Sequence, residues 1–184
     1  MTSTIAWSLI WSVYPSGFPY FGNGLMYAFS PWSGHYEAGQ GGTDNGAAIW
    51  TAAHTTQFTE PGWRYLARGQ GSGMLARGGS YVTLVSQDSS KWTLVVEKLE
   101  GDCLRCSGEA TSDETITFIL RGGLEHVRGG KLQVWRTNRS SHFIQDAAVS
   151  VGEDSTIELH VPRDSIVTVS SWLNGQQKAQ PLVP

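Results

Sequence analysis

With 184 residues and a net charge of −3, the chain has room for one domain, or one and a part, and lacks the positive footprint of a nucleic-acid binder. No run of about 18 apolar residues occurs, so no transmembrane helix is expected, and no charged-then-apolar leader precedes a small-residue cleavage site. Eight Trp and 22 Gly suit a chain rich in loops and strands, and five of the Trp (Trp7, Trp11, Trp32, Trp50 and Trp63) fall before residue 64. The same stretch holds just three acids, Glu37, Asp44 and Glu60. Dense aromatics with few charges suit either a buried segment or a sugar-stacking surface.

Thr4 to Trp11 is a nearly continuous apolar run with β-branched and aromatic members, which predicts a strand buried on both faces, as in a parallel barrel. It has nothing before it to pair with, so the chain reads as opening inside a larger fold. Pro15, Gly17, Pro19, Gly22 and Gly24 make residues 12–24 a loop. Leu25 to Phe29 is a short extended segment, Pro31 to Tyr36 a rigid aromatic turn, and Gly39 to Gly46 a glycine-rich loop. Ala47 to Phe58 predicts a helix, capped by Asp44 or Asn45 and stopped by Pro61, with Ile49, Trp50, Ala53 and Gln57 on one face.

From Trp63 the apolar period changes to two. Strands are predicted at Tyr81–Val85, Trp92–Leu99, Glu114–Leu120, Lys131–Thr137, Phe143–Val149, Thr156–Val161 and Ile166–Trp172, with turn residues between them. Short strands at this spacing predict an antiparallel β-sandwich. The polar tail Asn174–Pro184 reads as a linker. The expected organisation is residues 1–62 as the last strand, loop and helix of a (β/α)8 barrel, 63–172 as the sandwich, and 173–184 as tail. The fold class is thus mainly β, an antiparallel β-sandwich preceded by the last β/α unit of a truncated barrel.

Few residues point to chemistry on their own. Cys103 and Cys106 form a lone C-x-x-C with no second ligand pair for zinc and no βαβ setting for redox work. That leaves free thiols or, as the preferred reading, a disulfide to a cysteine outside this chain. A retaining glycosidase needs two carboxylates about 5 Å apart. Glu37 and Asp44 sit in a loop, and Glu97, Glu100, Asp113 and Glu114 read as solvated strand-end charges. Arg68–Gly73 resembles a phosphate loop but leads into β structure, so it reads as a turn. The five His show no ligand spacing, and His54 reads as a packed or hydrogen-bonded core residue. Asn138-Arg-Ser140 is a glycosylation sequon that matters in a secreted chain. No cofactor or metal is called for.

Five blocks carry a resemblance. Met1–Trp7, Pro31–Tyr36, Ala53–Phe58 with Pro61-Gly-Trp63, Gly78–Val82 and Leu132–Trp135 are similar, in collinear order, to the galactosylceramidase family, glycoside hydrolase family 59. The resemblance covers residues 1 to about 172 and implies a barrel, then a sandwich, then a lectin-like domain beyond Pro184. It also implies release of galactose from galactosylceramide and related galactolipids, in the lysosome or after secretion, with a saposin-like protein presenting the lipid. The family's two catalytic glutamates would lie upstream of Met1, so no catalytic residue is expected here and the chain alone is expected to be inactive. Three substrate-binding residues are implied: Trp7 and Tyr20 lining the galactose pocket, and Arg105 reaching in from the sandwich with its fixed fork of donors. Cys103 matches a family cysteine whose partner lies upstream, and Cys106 is extra. The alternative is a stand-alone carbohydrate-binding β-sandwich, which would present exposed coplanar aromatics.

Overall fold

Two alternating faces per strand let one sheet bury both of its sides, and this chain does so with its larger sheet. The computed structural model describes residues 10–13, 26–29, 46–98, 112–138 and 140–172. Near the start, β1 (Ile10–Val13) and β2 (Met26–Phe29) pair in parallel, Ile10 against Met26 and Val13 against Phe29. A parallel pair cannot be closed by a hairpin and needs a connection of about a dozen residues; residues 14–25 supply that length. Of the strand expected over Thr4–Trp11, Ile10 and Trp11 lie within the described residues, and β1 also takes in Ser12 and Val13, which were expected to be loop.

Helix α1 spans Gly46–Thr56, close to the predicted Ala47–Phe58. Its alanines favour helix. Its last turn is closed by Gln57 N–H on the Ala53 carbonyl (3.0 Å) and by the Thr59 hydroxyl on the Thr55 carbonyl (2.9 Å).

The larger sheet contains β3 (Arg64–Tyr65), β4 (Ser72–Met74), β5 (Ser80–Val85), β6 (Trp92–Lys98), β8 (Lys131–Thr137), β9 (Ile144–Ser150) and β11 (Ser165–Ser170). Its order is β3-β5-β6-β11-β8-β9, with β4 sharing the outer edge of β5. Every pairing is antiparallel. The smaller sheet pairs β7 (Glu114–Ile119) with β10 (Thr156–Val161), Ile157 opposite Phe118 and Leu159 opposite Ile116. One 3-10 turn, Leu124–Val127, connects β7 to β8.

The alternation sorts side chains between two cores. Trp92, Leu94 and Val96 of β6, Leu132 and Val134 of β8, and Val167 and Val169 of β11 face the smaller sheet, meeting Ile157, Leu159 and Val161. The intervening residues face α1: Thr93 and Ser170, Trp135 and Thr137, and Thr168 are all buried. β11 lies between β6 and β8, and all six of its residues are buried. A strand covered on both faces must bury hydroxyls as well as methyls, and each must find a partner. Thr93 Oγ1 accordingly donates to the Phe58 carbonyl (2.8 Å) and lies 2.8 Å from Ser170 Oγ.

Glu114 corrects an expectation. It is not a solvated strand-end charge. β7 turns it inward with Ile116 and Phe118, and its Oε2 lies 2.8 Å from Nζ of the fully buried Lys98. Lys98 also donates to the Arg77 carbonyl at 3.0 Å. The pair plugs one end of the core between the sheets. Gly79 has φ +92°, and a Cβ there would collide with the Glu97 carbonyl oxygen, so only glycine fits beside the plug. The glycine-rich Arg68–Gly73 run is a turn, as expected: Gly69 N–H donates to the Ser72 carbonyl (2.9 Å) and leads into β4.

Candidate functional site

Helix α1 is fastened to the larger sheet through His54. The ring is fully buried, with Nδ1 2.7 Å from Thr168 Oγ1 and Nε2 2.8 Å from Thr137 Oγ1. The hydroxyl protons fix the tautomer. Thr168 donates its proton to the His54 carbonyl (3.0 Å), so its oxygen accepts from Nδ1–H. Thr137 Oγ1 accepts from Phe143 N–H (2.9 Å) and gives its proton to Nε2. Every donor then has an acceptor with the ring neutral. A second ring proton would face an oxygen that already accepts from Phe143. Burial accordingly lowers the His54 pKa to about 4.

Aromatic rings surround this seam. Phe143 is buried at φ +53°, packed against Trp135 (centroids 4.8 Å), Trp50 (5.7 Å, stacked), Phe58 (5.8 Å) and His54 (5.4 Å, edge-on). Phe58 lies just past the helix and is also fully buried. Burying rings of this size contributes about 1.5–3 kcal/mol each. The arrangement locks the helix to the sheet and leaves the His54 ring without solvent access, so the described geometry gives it a structural role.

The substrate residues expected from the sequence, Trp7, Tyr20 and Arg105, lie outside the described residues, as do Cys103, Cys106, Glu37, Asp44 and Glu100. The described carboxylates near strand ends have structural partners. Glu97 accepts from the Ser80 hydroxyl (2.8 Å), Asp113 from Arg163 N–H (2.9 Å), and Glu114 holds Lys98. Among the described residues no cluster of three or more His, Cys, Asp or Glu could hold a metal ion, and no helix is long and apolar enough to cross a membrane.

The described residues also form a cleft at the β5–β6 turn. It has a volume of about 460 Å³ and is lined by Glu60, Pro61, Gly62 and Trp63 on one side and by Ser86, Gln87, Asp88 and Lys91 of the β5–β6 turn on the other. Trp63 packs on Trp172 (5.5 Å, planes at 43°), and Lys91 Nζ sits 4.9 Å over the Trp172 ring. Hydrogen bonds hold Asp88 in place. Oδ1 accepts from Ser86 Oγ (2.6 Å) and Ser90 N–H (3.1 Å), and Oδ2 from Ser90 Oγ (2.8 Å), which lowers its pKa to about 2. Sequence reasoning read Gln87–Ser90 as a turn but had no signal to bring Trp63 and Trp172 beside it.

A helix-faced antiparallel sandwich following a parallel strand pair is an architecture found in glycoside hydrolases. Two solved xylanases of glycoside hydrolase family 30 share the fold. The Clostridium papyrosolvens endoxylanase aligns with TM-score 0.51 and 13% identity over 67% of this chain and 27% of that one. The Clostridium acetobutylicum Xyn30A does so with TM-score 0.51 and 11% identity over 80% and 34%. Sequence places the chain more finely. Residues 1–57 match glycosyl hydrolase family 59, and residues 65–176 match the glycosyl hydrolase family 59 central domain. This chain belongs to glycosyl hydrolase family 59, as the terminal piece of the barrel followed by the central β domain. It is 35% identical to the galactocerebrosidase of Mus musculus and 34% to that of Homo sapiens, over all of its own length and 26% of theirs. The chain thus spans about a quarter of the curated relatives it matches.

Proposed function

We propose that this chain is part of a retaining galactosylceramidase-like glycosidase that releases galactose from galactosylceramide and related galactolipids. The observation that supports this most is the match to galactocerebrosidases over the whole of its length at 35% identity. In this reading, residues 1–62 are the last strand, loop and helix of a barrel, 63–172 form the sandwich, and 173–184 are a linker or tail. Trp7 stacks on the apolar face of galactose, Tyr20 lines the same pocket, and Arg105 donates to sugar hydroxyls. The two carboxylates that retention requires come from outside these 184 residues, so the isolated chain does not hydrolyse galactosides. The whole protein works in the lysosome or after secretion, on lipid presented by a saposin-like partner.

Purified 184-residue chain is assayed on a chromogenic galactoside beside the longer protein that contains it. The expected result is turnover by the longer protein alone, with kcat/KM reduced about tenfold or more by Arg105→Ala or Trp7→Ala. Turnover by the isolated chain would overturn its assigned inactivity, and unchanged kcat/KM in both variants would overturn the site. The second reading, a stand-alone carbohydrate-binding sandwich, called for coplanar exposed aromatics. Trp63 and Trp172 are tilted by 43°, which suits contact with one ring better than a flat track for a chain.

A further inference from the structure

We propose that the cleft between Trp63 and the Ser86–Lys91 turn binds one pyranose ring of a neutral glycan. Four observations carry this. The volume, about 460 Å³, falls in the range of ligand clefts (~300–1,000 Å³). Trp63 is half-buried and wedged against Trp172, so a flat indole lines the cleft in a fixed pose. A pyranose has an apolar face of C–H groups that packs on such a surface, with hydroxyls around its rim.

The polar groups opposite Trp63 are preorganised. Ser86 N–H donates to the Lys91 carbonyl (2.9 Å), Lys91 N–H to Ser86 Oγ (3.0 Å), and Ser89 N–H to the Ser86 carbonyl (2.9 Å). These bonds hold Asp88 with three acceptor positions occupied and room on Oδ2 for one more donor. The turn and Asp88 are thus held in place without a ligand, which removes part of the entropic cost of binding.

The mixture of charges selects the ligand class. Asp88 and Glu60 would repel an anion, and Lys91 would repel a cation. A hydroxyl both donates and accepts, so it can satisfy a carboxylate and an ammonium in the same small space. Lys91 already covers the face of Trp172, which leaves Trp63 as the platform. Room for one platform means one ring.

Binding of methyl galactoside and methyl glucoside to the 184-residue chain is followed by two-dimensional amide NMR. Saturable shifts are expected at Trp63, Gln87, Asp88 and Lys91. Trp63→Phe, which keeps an aromatic against Trp172, should weaken binding about three- to tenfold. Lys91→Gln, which removes a surface cation without touching the turn's backbone, should weaken it by a smaller factor. Circular dichroism confirms that both variants are folded. Absence of saturable shifts with either sugar overturns the proposal. So does binding that is abolished by Arg105→Ala and untouched by Trp63→Phe, because the sugar would then sit elsewhere.

Discussion

Acidification from pH 7 to pH 4 should weaken this fold by about 3 kcal/mol through His54 alone. The ring is fully buried and neutral, and burial lowers its pKa from 6.5 to about 4. Above about pH 6.5 the residue is neutral in both folded and unfolded chains, and its full contribution to stability is present. As the pH falls further, the unfolded chain takes up a proton that the folded ring refuses. The unfolding free energy then drops by about 1.4 kcal/mol per pH unit. The loss levels off near pH 4, where the folded ring protonates too. A loss of about 3 kcal/mol is a large share of the ~5–15 kcal/mol that holds a typical domain. The assay is urea unfolding of the chain and of His54→Gln in steps from pH 7 to pH 4. Every other group is common to both proteins, so the comparison isolates His54. The stability gap between the two should close by about 3 kcal/mol on acidification. A gap constant to within about 0.5 kcal/mol would mean that His54 titrates alike in both states, which would refute the reasoning. If the variant does not fold, ring-nitrogen NMR of the unaltered chain gives the same answer. It should report the Nδ1–H tautomer with no second proton down to about pH 5.

Two further outcomes follow from the plug at the end of the core. Glu114→Ala should cost about 3–5 kcal/mol, because it leaves the fully buried Lys98 with an uncompensated charge. Replacing both partners with apolar residues (Lys98→Met with Glu114→Leu) should cost far less, and chemical denaturation of the three variants separates the two values. Gly79→Ala should cost more than ~1 kcal/mol, since φ +92° disfavours any side chain and the new Cβ meets the Glu97 carbonyl. An unchanged thermal midpoint for that variant would show that the Ser80–Glu97 hairpin tolerates a shift.

Much of the fold was legible because alternation with period two survives along a strand whatever its neighbours do. Trp92–Lys98, Lys131–Thr137 and Thr156–Val161 appear within a residue of where the pattern puts them. β3 and β4 escaped notice because two or three residues are too few to display a period. Glu114 was misread because a charge at a strand end looks the same in sequence whether it points to water or to a buried lysine. The cleft was invisible for a related reason. Trp63 and Trp172 touch across the fold, and Lys91 joins them from a third segment.

Local composition determined the helix over Gly46–Thr56, the strands, their turns and the family, because propensity, period and residue blocks act over a few positions at a time. Tertiary structure alone decided which face of each strand meets which layer. His54 shows the difference: its two hydroxyl partners are 83 and 114 residues away in sequence. They become neighbours because β8 and β11 pair in a register that sets Thr137 opposite Ile166 and Trp135 opposite Thr168. The two threonines then stand diagonally on one face, spaced to take both ring nitrogens. No local rule specifies that register. It follows from burying the apolar side chains of both faces at once, and the neutral histidine fits the polar space left between them.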